Sequence, residues 1–141
     1  MAQGIVEHLN PAGLHPNPAF TQAVVVSGPA KTIYVGGQDS VDADGNIVGK
    51  SDMAAQTEQA LKNLEIALRA AGAGPEHIVK WNIYIVQGHD LMPGFIASQR
   101  FWAGRPNPPA ITGVIVAALA HPDFLVEIDA VAVVPLPALS S

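Results

Sequence analysis

Apolar positions along the chain fall into five strand-like stretches and two with helical spacing, and these set the expected architecture. Ala23–Val26 and Lys31–Val35, separated by Gly28-Pro29, read as a hairpin of two short strands. Ser51 and Asp52 can each cap a helix running to Ala71, with Leu61, Leu64, Leu68 and Ala71 on one face and a stop at Gly72. His77–Gln87 alternates as a strand, with Val79, Trp81, Ile83 and Ile85 on one side and Ile78, Lys80, Asn82, Tyr84 and Val86 on the other. Leu91–Ala103 reads as a shorter second helix with Leu91, Phe95 and Trp102 as core contacts, closed by the Pro-rich Arg105–Pro109. Two Val- and Ile-rich runs follow, Ala110–Leu119 and Leu125–Val134, joined by a turn at Ala120–Asp123.

The resulting order is β-β-α-β-α-β-β, an α+β domain in which two helices cover one face of a mixed sheet. Residues 1–22, rich in Pro, Asn and Gly but carrying Leu9, Leu14 and Phe20 as apolar anchors, read as an ordered arm of the same single domain, 1–141. In the last strand, Val126, Ile128, Ala130, Ala132 and Val134 share one face, and Glu127, Asp129, Val131 and Val133 the other. The preceding strand is apolar on both faces, so its second face needs a cover, and no element of the chain is left to supply it. A further copy of the same chain is the expected cover, which moves Glu127 and Asp129 from an open edge to a subunit boundary.

Composition narrows the partners. Seven Lys and Arg against 12 Asp and Glu give a net charge of −5, with no basic stripe to follow a phosphate backbone, so nucleic-acid binding is disfavoured. No apolar run reaches the length of a membrane span and the N-terminus has no cationic leader, so no membrane association and a cytoplasmic location are expected. Absence of Cys excludes disulfides and thiolate metal sites. Asp42–Asn46 lacks the later acid of a calcium loop, Met53 standing where it belongs, and reads as an Asp-Gly turn. His8, His15, His77, His89 and His121 show no ligand spacing. No metal and no cofactor are expected.

A set of short motifs in a fixed order gives the chain a resemblance. Gln22-Ala23-Val24 follows an aromatic residue, and Gly37-Gln38 follows the second strand; Ala55-Gln56 opens the first helix, with Asn63 beyond and Ala71-Gly72 at its end. Val79-Lys80 begins a strand, Pro109-Ala110 precedes the fourth, and Val126–Ala130 closes the sheet. From about Phe20 to Val134 this is similar to the Rid (reactive intermediate deaminase, YjgF-like) family. The resemblance implies a chorismate-mutase-like fold, a homotrimer whose sheets form a central barrel, and small-molecule clefts between subunits. It also implies hydrolysis of reactive enamine and imine products of amino-acid catabolism to 2-keto acids and ammonia, with a Glu of the last strand positioning water, here Glu127.

Departures from the family pattern matter for the substrate. The Arg that holds a substrate carboxylate directly after Pro-Ala is Ile111 here, an aromatic hydroxyl of the arm is Phe20, and the Ser before Gly-Gln is Gly36. A guanidinium binds a carboxylate through two charge-assisted hydrogen bonds, and Ile offers none. The expectation is a subgroup lacking this Arg: a hydrolase of enamine or imine deaminase type that does not take 2-imino acids in the usual way. Its cleft would be lined by Phe20, Ile111 and the free amides around Gly36, Gly37, Thr112 and Gly113, with Arg105 or Arg100 as possible replacement cations and His121 near the turn. The alternatives are a non-catalytic small-ligand binding or regulatory trimer, an aminomuconate-type deaminase of aromatic degradation and, least favoured by the acidic balance, an endoribonuclease.

Overall fold

The computed structural model describes residues 2–139. Its strands are β1 (Ile5–Leu9), β2 (Ala23–Ser27), β3 (Ala30–Gln38), β4 (Ile78–Val86), β5 (Ala110–Val116) and β6 (Val126–Pro135); its helices are α1 (Met53–Ala70) and α2 (Met92–Trp102). Four strands form one sheet in the order β3-β6-β4-β5, antiparallel except for the β4–β5 pair, while β1 and β2 form a separate antiparallel ribbon. The α+β class and the two helices on a mixed sheet match expectation.

Helix α1 begins where Asp52 accepts the N–H of Ala55 and ends as Gly72, at φ 78°, turns the chain. Leu61, Leu64 and Leu68 are buried against Ile128, Ala130 and Ala132 of β6 and Trp81 of β4, making this the main core. Gln56 carries the fold's most consequential buried polar contacts. Its Nε2 donates to the carbonyls of Gly49 and Asp123, and its Oε1 accepts the N–H of Leu125, so the turn that launches β6 is tied to α1. Asn63, about two turns further on, donates to the carbonyls of Asp39 and Val41 and fixes the chain leaving β3.

Four expectations are corrected. β2 does not pair with β3 as a hairpin: it pairs with β1, a strand not foreseen inside the arm, while β3 pairs with β6. The arm's start runs so close to the turn that a Cβ at Gly28 would lie 2.9 Å from the Gln3 carbonyl, and β2 peels away to meet it. The run from Ala110 ends as a strand at Val116, three residues before Leu119. Ile78 faces the core opposite Ala132, because a bulge between Ile78 and Lys80 reverses the alternation at the start of β4. Finally, Phe95 and Leu91 are not core residues: α2 rests on α1 and stands off the sheet, leaving Phe95 52% exposed beside a cavity while Trp102 alone of the three is buried.

Candidate active site

The two ends of the anticipated site lie on opposite faces of the sheet. On the helix face, in register with Trp81 and Ile83 of β4, Ile111 and Gly113 of β5 form the floor of an apolar cavity of about 380 Å³. Its roof is α2, through Phe95, Ser98 and Trp102, and its mouth is the arm, through Pro18 and Phe20. The arm is pinned there because buried Thr21 donates its amide to the Pro109 carbonyl (3.1 Å) and its hydroxyl to that of Pro108. Phe20 and Ile111 thus meet in one cavity, lined by aromatic and aliphatic side chains with Ser98, Gln99 and Thr57 as the polar ones.

On the other face stands Glu127, opposite Tyr84 of β4. Its neighbour across β3 is Gly37, in a bulge between Val35 and Gln38; a Cβ there would come within 2.5 Å of Glu127 Oε2. Only a glycine leaves the carboxylate that position, which is the physical content of the Gly37-Gln38 motif. Gly36 has open space about it and lines the same edge. Asp129, two residues on, accepts hydrogen bonds from Asn82 Nδ2 (2.8 Å) and Tyr84 Oη (3.1 Å) and is held as a structural partner; its bond to the Tyr84 hydroxyl, with its charge, raises the Tyr84 pKa. Thr112 belongs to this face as well, opposite Asn82, with its hydroxyl taking a hydrogen bond from Lys80 Nζ.

The remaining candidates lie elsewhere. Arg105 turns its Nη1 to the carbonyls of Phe101 (2.7 Å) and Trp102 (3.0 Å), closing the end of α2 and stacking over the Trp102 ring, away from the cavity. Arg100 is solvent-exposed, 3.8 Å from Glu58 across the α1–α2 surface. His121 Nδ1 accepts the Asp123 N–H inside the turn before β6, and its ring packs on Phe124. Among the described residues no three His, Asp or Glu side chains group as metal ligands, and no helix is long and apolar enough to cross a membrane.

One acid was missed. Asp39, directly after Gln38, follows β3 on the line that carries Gly37, and its carboxyl feels the charge of Glu127. Burial first, and the Glu127 charge second, push its pKa up to about 7. The signal in the sequence was faint: an acid two residues after the glycine that faces Glu127.

Comparison with known proteins places the chain in a family. The family model described as Endoribonuclease L-PSP matches residues 12–134. A RutC family protein of Synechocystis is 34% identical over 118 residues, covering 82% of this chain and 86% of its own. The 2-iminobutanoate/2-iminopropanoate deaminase of Rattus norvegicus is 34% identical over 115 residues, covering 82% and 80%. Among solved structures, the Rid family protein YyfB of Yersinia pestis superposes with a TM-score of 0.80 at 35% identity, covering 90% of this chain and 97% of that one. TdcF of E. coli, with bound serine, gives 0.66 at 27% identity, covering 72% and 80%. Sequence motifs, strand order and these relatives together establish that the chain belongs to the Rid, or YjgF-like, family.

Proposed function

We propose that this protein hydrolyses a small imine or enamine to a carbonyl compound and ammonia, in a cleft that two copies of the chain build together. The observation that carries the reading is the placement of Glu127, its carboxylate set against the bare backbone of Gly37 on the sheet face opposite the helices. A carboxylate so held can orient a water and take its proton as the water attacks the C=N carbon. Deaminase-named relatives support this class of reaction.

The split site supports the shared cleft. Phe20 and Ile111 open into the helix-face cavity and Glu127 onto the opposite face, so one chain cannot bring them to one substrate. Both outer strands of the sheet, β3 and β5, have one side free of partners among the described residues. On β5, Ile115 is 62% exposed, and Tyr34 on β3 is 80% exposed. A cyclic homotrimer covers these surfaces and sets the Glu127 of one subunit beside the cavity of the next. With Ile111 at the cavity floor and Arg105 spent on the end of α2, no cation in the cavity awaits a carboxylate. The substrate is therefore an imine or enamine whose remaining body is apolar.

The test is ammonia release from two freshly generated substrates, 2-aminoacrylate and an uncharged aryl or alkyl imine. Turnover of the uncharged imine, reduced about 10²–10⁴-fold by Glu127→Gln, is expected; activity unchanged by that substitution sinks the role of Glu127. The second reading, a binding or regulatory trimer without chemistry, is favoured by the cavity's lack of charged groups. It predicts saturable ligand binding with no ammonia from either substrate.

A further inference from the structure

The missed acid bears on how such a site handles protons. In the β3–β6 register Gln38 stands opposite Ile128, and one further step sets Asp39 opposite Glu127. Like charges directly across a ladder repel, yet the two carboxyls are neighbours, the Glu127 charge acting on the Asp39 carboxyl after burial has already disfavoured its ionised form. Asp39 Oδ1 is buried and has no hydrogen-bond partner. Two ionised carboxylates can only accept, so the contact is a hydrogen bond only when one proton lies between them. Among the described residues neither carboxyl has a salt-bridge partner. On this sheet face Asp129 is engaged by Asn82 and Tyr84, and Lys80 by Thr112; Tyr34 on β3, opposite Val131, shares the face. From α1, Asn63 addresses the Asp39 backbone carbonyl, and Gln59 hydrogen-bonds Asn63.

We infer that Asp39 and Glu127 form an acid–base pair that holds one proton at neutral pH and donates it to the substrate nitrogen. The inference rests on the imine-hydrolase reading and adds a second catalytic residue to it. The steps balance without any other reagent. The shared proton passes to the imine nitrogen, giving an iminium and leaving the pair doubly ionised. Water attacks the carbon, the C=N π pair moves to nitrogen, and Glu127 takes the proton the water loses, so the carbinolamine is neutral and the pair again holds one proton. That proton then moves to the amine nitrogen; the C–N bond breaks as C=O forms, ammonia leaves, and the hydroxyl proton returns to the pair.

A pair that is singly negative with substrate absent and doubly negative beside the iminium favours substrates that become cationic and disfavours those carrying a carboxylate. Ile at position 111 and the acid at position 39 therefore point the same way. Family-wide water positioning by the strand Glu alone does not require Asp39.

The experiment combines carboxyl-carbon NMR titration of the full-length protein with pH–rate profiles for the wild type and Asp39→Asn, which keeps shape and hydrogen-bonding capacity. Expected are a carboxyl of the pair titrating near neutrality, a wild-type kcat on the uncharged imine that falls as pH rises past about 7, and loss of about 10²-fold or more in kcat with that alkaline limb abolished in Asp39→Asn. Two ordinary carboxyl titrations overturn the pair whatever the activity. Neutral titration with unchanged kcat and pH profile in Asp39→Asn overturns its catalytic role and leaves it a structural contact. If the wild type turns over neither substrate, the imine-hydrolase reading fails, the catalytic role fails with it, and the titration alone then decides whether the proton is shared.

Discussion

Placing an alanine at Gly37 tests whether the position of the Glu127 carboxylate, rather than its mere presence, matters. A Cβ at that residue lies 2.5 Å from Oε2 and 2.7 Å from Cδ of Glu127, where ordinary contact begins at 3.4 Å. The carboxylate must retreat by about 0.9 Å, and misplacement of a catalytic group by about 1 Å costs on the order of 10²-fold in rate. Because the clashing atoms are the end of a flexible side chain and Gly37 is not in the left-handed region, the strand itself accepts alanine. The unfolded chain loses entropy worth about 0.4–1 kcal/mol, offsetting part of about 1–3 kcal/mol of overpacking. Gly37→Ala should therefore lower kcat/KM about 10²-fold on the uncharged imine while the melting temperature moves by only a few degrees. A variant with kcat/KM within about twofold of wild type refutes the positioning argument; a matching collapse in stability would show that the glycine serves the sheet and not the carboxylate.

Other consequences can be checked on stability. The raised Asp39 pKa means that this group favours the folded state fully below its ordinary 3.8 and loses that contribution as pH rises to about 7. The full shift of about three units corresponds to about 4 kcal/mol, which partial exposure to water screens to about 1–2; Asp39→Asn should thus be more stable than wild type by that amount in urea melts at pH 8 and lose its advantage at pH 4. Gln56→Ala removes two donated bonds and strands the buried Leu125 N–H, so it should cost about 2–4 kcal/mol in urea unfolding at pH 7.

Much of the fold was legible because its signals are local. The caps of α1, the glycine after it, and the alternation of β6 are each enough to place an element, and Val126, Ile128, Ala130 and Ala132 pack where the period of two put them. What escaped was set by tertiary contact. β1 is a half-exposed surface ribbon whose five residues carry no clear period, so only its pairing with β2 defines it. The bulge at Val79 leaves no mark in composition, yet it turns Ile78 inward. Phe95 has the spacing of a core residue, and the standoff of α2 from the sheet makes it a cavity wall instead. The candidate site divides in the same way. Glu127 and Ile111 followed from motif positions, but that they face opposite sides of the sheet depends on the β4–β5 and β4–β6 registers together. Asp39 was invisible because its partner lies 88 positions away, brought opposite by a ladder that a bulge has shifted.

The most direct test of a site shared between chains is a mixing experiment with two variants, each defective in a different half. Gly113→Leu fills the cavity floor, where a Cβ meets nothing within 4 Å and the strand is undisturbed. Glu127→Gln removes the base. Each homotrimer should be inactive on the uncharged imine. Co-refolded in equal amounts, random cyclic trimers should pair an intact cavity with an intact Glu127 in about a quarter of sites, restoring about a quarter of wild-type activity. Mixed trimers that stay as inactive as their parents would contradict a cleft built by two chains.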